Sequence, residues 1–121
     1  LVVDREGDVR ETLRKVLSEQ ANYEVRVATN GFAAGIECER FKPHVLLLDV
    51  HLGNDQDAKE VARLVRSEDE LAITKVIAMS GKLSDAQLHG LRGNGFDAFL
   101  KKPFQVRQVV ESIENVTSLV H

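Results

Sequence analysis

The chain has 121 residues, 43% of them apolar, and a formal net charge of -3. That length and apolar share suit one domain around one core, and no basic excess is present to neutralise a phosphate backbone, so direct nucleic-acid binding is not expected. The lone Cys38 excludes a disulfide framework or a cysteine zinc site, and no long apolar stretch or charged-then-apolar leader suggests a membrane span or signal peptide, so a reducing cytoplasm is the expected home.

Leu1-Val2-Val3 reads as a first strand ending on Asp4; since it starts on the first residue, it is expected to lack a residue or two of its natural beginning. A first helix is predicted after Asp8, because Asp8 and Glu11 have the spacing of a capping pair and Val9, Leu13, Val16 and Leu17 share a face. Tyr23 to Ala28 reads as the second strand. Gly31 to about Arg40 reads as a second, weakly amphipathic helix with Phe32, Gly35, Ile36 and Glu39 on one face, stopped by the approach to Pro43. Cys38 within it is read as a packed thiol.

Val45-Leu46-Leu47-Leu48 is a buried strand that stops on Asp49 and passes into the turn-like stretch His51-Leu52-Gly53-Asn54-Asp55. Asp57 and Glu60 repeat the capping spacing before a third helix, with Ala58, Val61, Ala62 and Val65 inside and Lys59, Arg63 and Arg66 on a solvated face. Val76 to Met79 is a fourth strand ending on Ser80. Ser84 with Gln87 begins a fourth helix, which Gly90, Gly93 and Gly95 loosen at about 1 kcal/mol per interior glycine. Ala98-Phe99-Leu100 runs into Lys101-Lys102-Pro103, and a last helix follows with Val106, Val109, Val110, Ile113 and Val116 or Thr117 inside. Alternating strands and helices are the signature of βαβ units and a parallel sheet, and five such units leave no room for a second domain.

Four strands thus deliver an acid (Asp4), an acid (Asp49), a hydroxyl (Ser80) and an amine (Lys102). In an open α/β sheet the carboxyl ends of the strands converge on one crevice. A carboxylate nucleophile there, with a hydroxyl, a lysine and a further acid, points to phosphoryl chemistry, which needs positioning and charge neutralisation. His44, His89 and His121 have no partners at ligand spacing and read as surface residues.

The blocks Val2-Val3-Asp4-Arg5-Glu6, Val45-Leu46-Leu47-Leu48-Asp49, Met79-Ser80-Gly81 and Phe99-Leu100-Lys101-Lys102-Pro103-Phe104 resemble, in register, the receiver domain of two-component response regulators. The resemblance covers essentially the full length. It implies a flavodoxin-like (βα)5 doubly wound parallel sheet of order 2-1-3-4-5. It also implies that Asp49 accepts a phosphoryl group from a histidine kinase or histidine phosphotransfer protein. Mg²⁺ would be held by Asp4, Asp49 and the His51 carbonyl, a hard oxygen set of the kind this ion prefers. Ser80 and Lys102 would bind phosphoryl oxygens, Ser80 and Phe99 would form the switch, and Lys102-Pro103 would be a cis peptide. The side chains of His51 and Lys82 stand where the family varies groups that tune loss of the phosphoryl group. Output would pass to a downstream domain or protein through the fourth helix, fifth strand and fifth helix, and a homodimer is compatible with this reading. Such a domain is a phosphoacceptor and not an enzyme, catalysing at most its own phosphorylation and dephosphorylation.

The chain departs from the family at Arg5, which stands where a second acid is usual. Weakened Mg²⁺ binding is expected, with Glu6 as substitute ligand if its loop bends inward. The alternative is that Arg5 pairs with Asp49 as a fixed cation, giving a pseudo-receiver that signals as an interaction module without Mg-dependent phosphorylation. The loop from Gly53 to Asp57 also lacks the frequent Met-Pro-Gly pattern. No glycine-rich phosphate loop follows the first strand, which disfavours a cofactor-binding or hydrolase reading.

Overall fold

In the computed structural model, which describes residues 1–19, 23–52, 55–84, 86–87 and 90–118, alternation along the strands sorts the apolar side chains onto two faces. The strands are β1 (Val2–Val3), β2 (Val27–Ala28), β3 (Val45–Asp49), β4 (Lys75–Ser80) and β5 (Ala98–Lys101). Every pairing is parallel and the order is β2-β1-β3-β4-β5, the flavodoxin-like arrangement expected. Leu46 and Leu48 join Val3, Val76 and Ala78 on one face, beneath α2 (Gly31–Phe41) and α3 (Asp55–Ser67). Leu47 joins Val2, Ile77, Met79 and Leu100 on the other, beneath α1 (Gly7–Glu19) and the last helix (Val106–Thr117). Successive strand residues point to opposite faces, so a strand covered by helices on both sides must be apolar throughout. Each fully buried leucine of β3 contributes about 1.5–3 kcal/mol.

Several element boundaries differ from the sequence reading for local reasons. Helix α1 starts at Gly7 because the Glu6 carbonyl accepts the first helical bond, from Arg10 N at 3.1 Å. Asp8 therefore lies inside the first turn, and Glu11 pairs with Arg14 at 2.7 Å. Strand β2 is confined to Val27–Ala28, since β1 offers only Val2 and Val3 as partners. Helix α2 turns Ala34 and Cys38 inward, while Phe32 is 81% exposed and Ile36 is exposed too. Small residues let this helix lie close, and a Cβ on Gly35 would already touch Leu64 at 3.5 Å. Burial pushes the Cys38 thiol up to about 11, which leaves it an inert packing group. Helix α3 begins at Asp55, which puts Asp57 inside it; the side chain of Asp57 and residues 53–54 lie outside the described residues. Its inner stripe of Ala58, Val61, Ala62 and Val65 is buried as expected.

At the fourth helix the expected cap forms: Ser84 N donates to Gln87 Oε1 at 2.9 Å and Gln87 N to Ser84 Oγ at 3.2 Å. Downstream, Gly90–Asn94 forms a 3-10 turn instead of continuing an α-helix, and Gly95 adopts a φ of 93°, a left-handed value that favours glycine. His89 and His121 lie outside the described residues, and His44 is exposed. Arg66 is not simply solvated: it donates to the carbonyls of Gly95 (3.3 Å) and Thr74 (2.8 Å) and to Asp97 Oδ2 (2.7 Å). The last helix begins at Val106 with a Gln105–Gln108 capping box, and Val109 and Ile113 are buried.

Candidate functional site

The carboxyl ends of β1, β3, β4 and β5 bring Asp4, Asp49, Ser80 and Lys102 to one place. Asp4 lies one residue past β1, fully buried, with every polar atom engaged. Its N–H donates to Ala28 O, its carbonyl accepts Arg10 Nη1 at 2.7 Å, Oδ1 accepts Glu6 N at 2.9 Å, and Oδ2 accepts the Lys102 ammonium at 2.7 Å. Asp49, 3% exposed, accepts His51 N on Oδ1 at 3.0 Å. Its Oδ2 stands 3.6 Å from Lys102 Nζ. Ser80 is fully buried, and its carbonyl accepts Lys102 N at 2.7 Å, which fixes the start of the lysine's chain beside the acids. The Lys102–Pro103 peptide that follows is cis, as expected. Ser80 Oγ meets Lys82 N (3.2 Å), Leu83 N (3.1 Å) and His51 Nε2 (3.0 Å).

Burial raises the Asp49 carboxyl above the usual carboxylate range. The His51 N–H opposes this, the neighbouring Asp4 adds to it, and Lys102 offsets part. Lys102 is the counter-charge. Burial lowers its ammonium, but the bond to Asp4 and the charges of Asp49, Asp4 and Glu6 outweigh that and leave it raised. Glu6 Oε1 also approaches Lys102, at 3.6 Å, with its side chain 64% exposed. A cleft of about 870 Å³ opens above these groups, with Arg5, Lys82 and Phe104 on its walls.

Arg5 is exposed at the rim and forms no ion pair with Asp49 among the described residues; the cation at Asp49 is Lys102. The pairing expected for a pseudo-receiver is therefore replaced by a lysine bridge. Lys82 is exposed, and Phe99 is half-buried against the core that packs under α2 and α3. The contact between His51 Nε2 and Ser80 and the Arg10 bond to the Asp4 carbonyl are absent from the sequence reading. His51 stands two residues past Asp49, which signals proximity but no partner, and Arg10 carries no signal at all.

A parallel sheet in this order, with two acids, a hydroxyl and an ammonium at one crevice, defines the receiver class of signalling domains rather than a conventional enzyme. The chain belongs to the response regulator receiver domain family, whose profile matches residues 1–114. It is 24% identical over 115 residues to the polar-differentiation response regulator DivK of Brucella anthropi, covering 95% of this chain and 93% of that protein. It is 36% identical over 114 residues to the response regulator MprA of Mycobacterium leprae, covering 93% of this chain but 48% of MprA. Among solved structures, the receiver domain of NtrX from Brucella abortus superimposes with a TM-score of 0.85 at 22% identity, over 98% of both chains, a likeness of fold alone.

Receiver domains in general bind Mg²⁺ at an acidic pocket. Here two adjacent buried carboxylates, already drawing one cation between them, supply hard oxygen ligands of the kind Mg²⁺ takes, usually one or two carboxylates with retained water. The donor set therefore fits. Among the described residues no group of three His, Cys, Asp or Glu side chains is placed to hold a metal ion by itself.

Proposed function

We propose that this domain is a phosphoacceptor switch of a two-component or phosphorelay system, and that Asp49 takes a phosphoryl group from a phosphohistidine on a histidine kinase or phosphotransfer protein. A carboxylate oxygen of Asp49 forms the new bond to phosphorus while the phosphorus–nitrogen bond breaks and the imidazole leaves with the electron pair. Asp49 needs its anionic form for this. Lys102, 3.6 Å away, favours that form against burial and stands ready for the incoming phosphoryl oxygens. The Ser80 hydroxyl supplies a hydrogen-bond donor to the same oxygens. Asp4, Asp49 and the His51 carbonyl would hold Mg²⁺, with Glu6 at the margin, and the bound ion supplies charge neutralisation at the phosphoryl group.

The observation that carries this reading is the arrangement of a buried Asp49 beside Lys102 at an open cleft. Output runs through the segment from Ser84 to Asn94, β5 and the last helix to a downstream domain or protein, with Phe99 and Ser80 as the switch pair. The whole of residues 1–121 acts as this one domain, in the cytoplasm, and its own catalysis extends no further than gaining and losing the phosphoryl group. Incubation of wild type and Asp49→Asn with acetyl phosphate and Mg²⁺ should add one phosphoryl mass to the wild type alone. Equal labelling of the two would overturn the assignment.

A second reading, an interaction module that works without Mg-dependent phosphorylation, draws on one observation. Lys102 already occupies Asp4 Oδ2 at 2.7 Å, and Arg5 replaces a further acid. A Mg²⁺ titration followed by NMR separates the two, because only the phosphoacceptor responds at Asp4 and Asp49.

A further inference from the structure

We propose that the His51 imidazole holds the hydroxyl hydrogen of Ser80 in the unmodified protein, so that a phosphoryl group on Asp49 must take that hydrogen from His51. The direction of the bond follows from counting. A serine hydroxyl has one hydrogen and two lone pairs. The N–H groups of Lys82 and Leu83 both reach Ser80 Oγ, at 3.2 and 3.1 Å, and neither can turn round. With both lone pairs engaged, the contact to His51 Nε2 at 3.0 Å has room only for Ser80 as donor. Nε2 is then the acceptor, and the neutral ring carries its hydrogen on Nδ1.

Position gives the bond its consequence. His51 also donates its own N–H to Asp49 Oδ1 at 3.0 Å, so one residue spans from the acid to the hydroxyl. Ser80 is fully buried, so its hydrogen has no water to turn to, and His51 is the acceptor at hand. His51 is a positioning residue in this account. It keeps Ser80 in its resting orientation and competes with the phosphoryl oxygens for a single hydrogen.

The first measurement needs neither metal nor phosphate. Long-range proton–nitrogen spectra of the His51 ring in the wild-type protein at alkaline pH should show Nε2 unprotonated and Nδ1 protonated, with Nε2 shifting in Ser80→Ala. A ring protonated on Nε2 would overturn the proposal whether or not any variant folds. The second measurement rests on the phosphoacceptor reading. Beryllofluoride affinity in saturating Mg²⁺ should tighten about two- to tenfold in His51→Ala, the worth of one ordinary hydrogen bond. That gain should vanish when His51→Ala is made on Ser80→Ala. No gain, or the same gain without Ser80, would sink the competition. A wild type that takes no beryllofluoride at all would instead overturn the phosphoacceptor reading, and the ring spectra would still decide the bond.

Discussion

Removing the ammonium of Lys102 should cost stability chiefly through Asp4, although Asp49 is the proposed phosphoacceptor. At an effective dielectric of about 20, the gross attraction is about 6 kcal/mol at the 2.7 Å of Asp4 Oδ2 and about 4.6 kcal/mol at the 3.6 Å of Asp49 Oδ2. Desolvation offsets most of both, and what sets Asp4 apart is the charge-assisted hydrogen bond, worth about 1.5–3 kcal/mol. Lys102→Met is therefore expected to cost about 3 kcal/mol at neutral pH, the low end for breaking a buried pair, because the lysine side chain keeps 15% exposure. On an Asp4→Asn background the same change should cost about 1 kcal/mol, leaving a coupling of about 2 kcal/mol. Urea unfolding of the four proteins without Mg²⁺ gives these numbers directly, provided the slopes agree. Additivity within about 0.5 kcal/mol would refute the argument. A pH series adds a second check. A cation held above its unfolded value stabilises fully below that value and loses its contribution as pH rises through the folded one. Since Lys102 is raised, on the alkaline side the gap between wild type and Lys102→Met should close only above the ordinary lysine range.

Burial raises the Asp49 carboxyl, so its stabilising contribution is complete below the unfolded value and is lost as pH climbs through the folded one. Asp49→Asn should thus melt higher than wild type at neutral pH, with the advantage shrinking in acid; an unchanged or lower melting temperature at neutral pH would contradict this. Arg5→Asp adds a hard oxygen beside Asp4 and removes a competing cation, and one such contact, at about 1–1.5 kcal/mol, should tighten Mg²⁺ about tenfold by calorimetric titration. Glu6→Gln should weaken it, and an Arg5→Asp protein that binds no better would show that position 5 points away from the metal. Hydrogen exchange with and without beryllofluoride should change most over 81–84 and 90–106, where turns and a 3-10 segment flank β5, and changes confined to α1 and α2 would rule out this output face.

The apolar runs that end on Asp4, Asp49, Ser80 and Lys101 made the sheet and its crevice legible, because a strand covered on both faces has almost no freedom in composition. The stripe on α3 was equally plain, with one face of Ala58, Val61, Ala62 and Val65 against charged residues. Helix α2 stands where its sequence places it, but its inner face was not legible, because hydrophobicity alone favours Phe32 and Ile36 inside, whereas packing favours the small Ala34 and Cys38. The start of α1 was displaced since Asp8 and Glu11 have the spacing of a capping pair, whereas Glu11 turns to Arg14 and Asp8 lies inside the first turn. The Gln105–Gln108 box had a signal in the spacing of two glutamines and passed unread. At the crevice, which side chains meet was legible and how they pair was not: nothing in the sequence ranks Asp4 above Asp49 as the partner of Lys102, or directs the His51 ring to Ser80. Those choices depend on ångström-scale offsets between strand ends.

Arg66 ties α3 to the Gly95 carbonyl and to Asp97, whose Oδ2 also takes Val76 N. At the opposite end of the same connection, the Ser80 hydroxyl grips the amides of Lys82 and Leu83. The link from β4 to β5 is consequently a strap buckled at both ends, one buckle being a guanidinium and the other a hydroxyl. On the proposed phosphoacceptor reading, a turn of the Ser80 hydroxyl would release the near buckle while Arg66 keeps the far one closed.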